Sequence, residues 1–170
     1  MTELLATAAV LVMALGLLVD LARHVRIQSA RSLTQALLYR LDAAMAAYCA
    51  SNAGAAPQVV PMMPPDPRDT GDETALQRQA RVNNRQFMDA LLARPGGAAL
   101  VSDLPLSIFD PQTQNLRDAW GAPIIFMAHT DAAVGMAPQG SWFFFSAGPD
   151  RKYLTRADNL YSYEAVPAGP

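Results

Sequence analysis

Apolar positions in the first fifty residues follow two different patterns. Residues 4–19 carry no charge, and the apolar run reaches residue 22 with only Asp20 interrupting it. Beyond that run the apolar positions thin to a stripe of Ile27, Ala30, Thr34, Leu37, Leu41, Met45 and Tyr48. Spacings of three and four mark one face of a helix. No proline precedes Pro57, and Gly16 is the only glycine before Gly54. The pattern therefore predicts one helix over residues 3–51, apolar all round in its first half and amphipathic in its second. Arg23, Arg31, Arg40 and Asp42 mostly fall off the stripe. At ~1.5 Å per residue such a helix reaches roughly 75 Å, far more than one bilayer.

Asn52, Gly54 and Pro57 end this helix. A proline-rich loop over residues 53–71 follows, with Pro57, Pro61, Pro64, Pro65 and Pro67. A second helix is predicted over residues 73–93, with Leu76, Ala80, Phe87 and Leu91 inward, Asp72 or Thr70 as cap, and a stop at Pro95-Gly96-Gly97. Four short strands are predicted next, at residues 104–109, 123–128, 141–146 and 159–164, separated by turn signals. Short links between consecutive strands imply an antiparallel meander. The run from Trp142 to Phe145 requires both sheet faces to be covered, one of them by the stripe of the first helix. The expected fold is α+β: a long N-terminal helix packed on a small antiparallel sheet. It divides into residues 1–22, 23–52 and 53–170.

Composition sharpens the reading of the first segment. The chain has 170 residues, 51% of them hydrophobic and 16% charged, with a net charge of −2. Basic residues are scattered after residue 40, whereas nucleic-acid binding wants a clustered basic face. A secretory signal peptide has a basic stretch before its apolar core and a small-residue cleavage site after it. Neither is present, and the apolar run passes into the amphipathic helix without a turn. Residues 4–22 are 19 in number, close to the roughly 20 needed for a membrane span. Glu3 stands at the mouth of that span, where a charge is costly and usually functional. Asp20 and the Arg23–Arg31 cluster mark its outer membrane–water boundary. Cys49 is the only cysteine, so it forms no intramolecular disulfide and reads as a lone buried thiol or a rare intermolecular link.

Enzymatic signatures are weak. His24 and His129 have no acidic or cysteine partner at metal spacing. Ser141, Ser146, Asp150 and His129 invite a triad, yet neither serine stands in a nucleophile elbow. No glycine-rich phosphate loop occurs, because Pro95-Gly96-Gly97 is not followed by Lys and Ser or Thr. Trp120 and Trp142 read as core or sheet-face residues.

Three segments together resemble the type IV pilin superfamily, and especially the major pseudopilins of type II secretion systems. Thr2-Glu3-Leu4-Leu5 followed by an apolar run resembles the start of the processed family helix. Asp118-Ala119-Trp120-Gly121-Ala122-Pro123 resembles an Asp-x-Trp-Gly-x-Pro segment. Phe145-Ser146-Ala147-Gly148-Pro149-Asp150 resembles a Ser-x-Gly-x-Asp turn, with Thr155, Asp158, Asn159, Leu160, Tyr161 and Ser162 continuing the likeness. The resemblance spans residues 1–52 and 116–164, and residues 53–115 have no counterpart. The leader, the processing glycine and the aromatic first residue are missing. The register predicts that Phe-Thr precedes Met1 in the genomic frame, together with a basic leader that would restore the positive-inside balance.

The resemblance implies a pilin-like fold and a non-enzymatic role as a subunit of a type II secretion pseudopilus or type IV pilus-like filament. It implies a single-pass protein of the bacterial inner membrane with a periplasmic C-terminal domain and a methylated mature terminus. Its partners would be copies of itself, other pseudopilins and the inner-membrane assembly platform. Glu3 would be the assembly carboxylate, pairing with the terminal amine of a neighbouring subunit. The resemblance also implies a calcium loop held by Asp150 and Asp158, with Asn159 as a third oxygen donor. Arg151-Lys152 and the amide at residue 159 depart from the family pattern. The alternative reading is a single-pass periplasmic scaffold or binding domain that never polymerises.

Overall fold

The computed structural model describes residues 2–62, 73–94, 97–102, 104–129, 134–135 and 142–164, without the side chains of residues 2–10, 73–74 and 100. Helix α1 runs unbroken over Thr2–Ser51, as the absence of proline and the near absence of glycine dictate. It ends where Ala53 and Gly54 take positive φ angles of 57° and 80°. Gly54 N–H then donates to Cys49 O at 2.8 Å, a left-handed helix stop that glycine adopts at no steric cost. Helix α2 covers Glu73–Leu92 and buries Leu76, Ala80, Phe87 and Leu91, the predicted inward set. Its expected cap at residues 70 or 72 lies outside the described residues.

Three strands form the sheet in the order β1-β2-β3, with β1 at Ile125–Met127, β2 at Phe143–Ser146 and β3 at Leu160–Tyr161. Both pairings are antiparallel: Phe126 faces Phe144, and Ser146 faces Leu160. Strand alternation then sorts the aromatic run onto two faces. Phe126, Phe144 and Leu160 point towards the helices and join Leu38, Leu41, Met45 and Phe87 in one core cluster. Phe87 sits 5.1 Å from both Phe126 and Phe144, ring centre to ring centre. Ile125, Met127, Phe143, Phe145 and Tyr161 point the other way and pack with Met62, Leu76, Ala80 and Tyr153. Both faces are covered, as the phenylalanine run requires. Trp120 and Trp142 pack half-buried against the helix-side cluster.

Two expectations need correction. The predicted strand at residues 104–109 is instead a 3-10 turn at Leu106–Ile108, preceded by the short helix α3 at Gly97–Ser102. Only Phe109 makes a β-bridge there, to Leu116. The outer edge of β1 is already occupied. Asn83 Nδ2 donates to Phe126 O at 2.8 Å, and Asn83 Oδ1 accepts from Phe126 N–H at 2.9 Å. The side-chain amide thus stands in for a neighbouring strand and covers the edge. Asn84 does the same for Leu116 and Ile124. The second correction is Ile27, which is 46% exposed; the buried stripe starts at Thr34. The described part of the proline-rich loop is docked, with Pro57 and Met62 buried and Val60 N–H donating to Gln86 Oε1 at 2.9 Å.

Candidate functional site

Helix α1 leaves the globular body near residue 33 and continues alone. Every described residue from 11 to 29 is exposed. Among them are large apolar side chains such as Val12 at 70%, Leu17 at 72% and Leu21 at 60% exposure. Contiguous apolar surface of this extent marks contact with a partner or a membrane. Among the described residues no helix is long and apolar enough to cross a membrane. The described side chains begin at Leu11, so residues 4–10 of the expected span lie outside them. Glu3 falls on α1, and its side chain lies outside them as well.

At its exit the helix is tied to the domain by polar contacts that the sequence pattern did not reveal. Ala119 N–H donates to Thr34 Oγ1 at 3.1 Å. Gln35 Nε2 donates to Tyr161 O at 2.8 Å and to Glu164 O at 3.2 Å. Tyr39 Oη donates to Glu164 O as well. Thr34 and Gln35 are both buried, and the Gln35–Tyr161 bond is shielded from water, so its loss would leave an unsatisfied group. A glutamine beside a buried helix stripe was the available signal, because buried amides need partners.

Two of the three segments that carry the resemblance meet directly beneath this exit. Asp118 Oδ1 accepts from Trp120 N–H at 2.9 Å and from Ala122 N–H at 2.8 Å, while Asp118 Oδ2 accepts from Ser146 Oγ at 2.5 Å. Ser146 Oγ in turn accepts from Gly148 N–H at 3.0 Å. Gly121 takes a φ of 84° to close the turn, a conformation that favours glycine. The Trp-Gly turn is thus shaped by one buried carboxylate, which also reaches the start of the next turn. Burial pushes the Asp118 carboxyl above the ordinary carboxylate range, opposed by the bonds from Ser146, Ala122 and Trp120 and by the charge of Arg151. Ser146 is therefore engaged in the clamp. His129 is exposed, and Ser141 lies outside the described residues.

The calcium candidates sit in the turn that follows β2. Asp150 Oδ1 accepts from Lys152 N–H at 2.8 Å, and Asp158 N–H donates to Thr155 O at 3.0 Å. Gly148, at a φ of 69°, lies so close to Asp158 that an added Cβ would meet its carbonyl oxygen at 2.0 Å. This contact closes the neck of the loop that holds both aspartates. Asn159 is buried, and its Nδ2 donates to Tyr153 O at 2.8 Å and to Tyr161 Oη at 3.1 Å. Its Oδ1 is buried, with no hydrogen-bond partner among the described residues. Asn159 follows Asp158 directly in the sequence, on the loop between β2 and β3 that also carries Asp150. The described residues hold no group of three His, Cys, Asp or Glu side chains suited to a metal.

Cys49 is the expected buried free thiol, 3.7 Å from Ala55 O, and burial pushes its pKa up. No protein-family model matches the chain, and neither a curated protein nor a solved structure matches it.

Proposed function

We propose that the protein is a structural subunit of a type II secretion pseudopilus or related type IV pilus-like filament, working by packing and not by catalysis. The observation that carries this reading is the division of α1. One continuous helix is built into the globular domain by its C-terminal half and projects its apolar side chains freely from the other half. In this reading lipid covers that surface before assembly, and the helices of neighbouring subunits cover it afterwards. Residues 4–22 hold the subunit in the bacterial inner membrane, with the domain of residues 53–170 in the periplasm. Other pseudopilins and the inner-membrane assembly platform are the partners. A heterologous contact that does not close propagates the fibre. The polar ties at Thr34, Gln35 and Tyr39 support the reading, since a helix drawn into a filament must carry its domain along.

Glu3 is the assembly residue in this reading. A carboxylate paired with an amine away from water is strongly destabilising when its partner is lost, and that penalty sets the register between subunits. Glu3→Ala and Glu3→Leu should insert into membranes like the wild type and fail to enter filaments. Membrane fractionation and filament shearing measure the two separately. Normal incorporation of either variant would overturn the reading in favour of a single-pass periplasmic scaffold or binding domain that never polymerises. Calcium at Asp150, Asp158 and Asn159 would supply positive charge that holds the loop closed. Calcium should raise the melting temperature of the wild type and not that of Asn159→Ala; equal melting with and without the ion removes it from the reading.

A further inference from the structure

A concave site lies beside the Trp-Gly turn, whose Gly121, Ala122 and Pro123 form part of its lining. It is a pocket of about 250 Å³, bounded by α2, the 110–117 segment and the turn after β2. Arg81, Arg117 and Arg151 line it, one from each of these separate segments, alongside Gln77, Gln112 and Thr113. Asp110 is the only carboxylate among its lining residues. Its Oδ1 is turned into its own loop, accepting from Gln112 N–H and Thr113 N–H at 2.9 Å each.

Arg81 and Arg151 are exposed and Arg117 is half-buried, so the three like charges stand around one small pocket with water still in reach. Among the described residues neither Arg81 nor Arg151 forms a close ion pair, although the charge of Arg151 acts on the buried Asp118 carboxyl, whereas Arg85, one turn further along α2, pairs with Asp89 at 3.9 Å. Among the described residues the Arg117 side chain donates to Ser107 O, at 3.4 Å from both Nε and Nη2. Among the lining residues three positive charges stand against the one of Asp110, with Asp118 acting on Arg151 from behind, so the pocket stays positive in a chain whose net charge is −2. Arg151 also holds a positive φ of 59°, a strained conformation for a residue with a side chain. The planar guanidinium fork matches carboxylate and phosphate oxygens, and the neutral amides and hydroxyl add further hydrogen-bonding groups.

We propose that this pocket binds a compact oxyanion carrying two negative charges, of phosphate or small dicarboxylate size. The proposal rests on the pocket alone and stands whether or not the chain assembles into filaments. The test is isothermal titration calorimetry on the full chain in non-ionic detergent at low ionic strength. Sodium phosphate and sodium succinate are titrated separately, each against sodium chloride at matched ionic strength. Saturable binding of phosphate alone, of succinate alone or of both is the expected result, and the arms say which oxyanion chemistry the site takes. Arg81→Ala and Arg151→Gly should each weaken that binding about tenfold or more, while Arg85→Ala should leave it unchanged. Arg151→Gly also relieves the positive φ, so it tests the charge without endangering the turn. Heats indistinguishable from chloride for both anions would overturn the proposal. So would wild-type affinity in Arg151→Gly, or an equal loss in Arg85→Ala.

Discussion

The two halves of α1 share one backbone geometry and differ in almost everything else. Leu38, in the second half, is fully buried, while Leu17, in the first, is 72% exposed. Gln35 is buried and bonded to two carbonyls, while Gln28 is exposed. The helix is continuous because its local sequence forbids nothing else, not because a single core supports its whole length. Helix formation and burial are thus separate consequences of the sequence. The first follows from propensity and the lack of breakers, the second from whether apolar positions form a stripe or surround the axis.

The sharpest way to break the comparison is to truncate one leucine from each half. Leu38→Ala should destabilise the domain by about 2–5 kcal/mol, the range for a fully buried leucine. Leu17→Ala should leave the melting of the domain within about 0.5 kcal/mol of wild type, as for surface changes. Denaturant unfolding followed by tryptophan fluorescence compares them directly. A large loss from Leu17→Ala would mean that the projecting half folds back on the domain.

Polar truncations sharpen the same contrast at smaller scale. Gln35→Ala removes a donor from Tyr161 O and Glu164 O, one of them in β3, and should cost about 1–3 kcal/mol. Gln28→Ala should cost nothing measurable in the same unfolding experiment. Equal costs would show that the bonds of Gln35 are replaced by water and that the tie at the helix exit is weak.

These contrasts also show what could be read from the chain. The extent of α1, the inward face of α2 and the order of the three observed strands follow from periodicity and turn residues. The strand expected at residues 104–109 failed for a reason that periodicity cannot express. Its alternating Leu104, Leu106 and Ile108 suit a strand, but strands need a free edge, and Asn83 occupies the edge of β1. Leu106 is consequently 88% exposed. Two adjacent asparagines in a helix are unfavourable locally, and that oddity was the sequence clue to their tertiary role. The Asp118–Ser146 bond joins residues 28 positions apart, so no local pattern could disclose it. The pocket of Arg81, Arg117 and Arg151 was hidden in the same way, by distance along the chain. Asp150, Asp158 and Asn159, by contrast, were named by the resemblance alone, and they lie on the one loop between β2 and β3.

The smallest expected effect concerns Asp118, which lies beneath the buried half of α1 next to the Ala119–Thr34 bond. Burial raises its pKa above the ordinary value of 3.8. The folded state therefore holds the Asp118 proton more tightly than the unfolded state. Its contribution to stability is full below the unfolded value and is lost as pH rises through the folded one. Asp42 and Glu164 are raised by burial too and act in the same direction, whereas Asp110, lowered by the amides of Thr113 and Gln112, acts in the opposite direction. Comparing one variant with the wild type isolates Asp118 from these. Asp118→Asn keeps an acceptor for the Trp120 and Ala122 amides and cannot ionise. Its melting temperature, measured from about pH 4 to about pH 7, should gain on the wild type as pH rises. A constant difference across that range would mean that the bonds to Asp118 offset its burial. The turn beneath the helix would then be held by a carboxylate as comfortable inside the protein as in water.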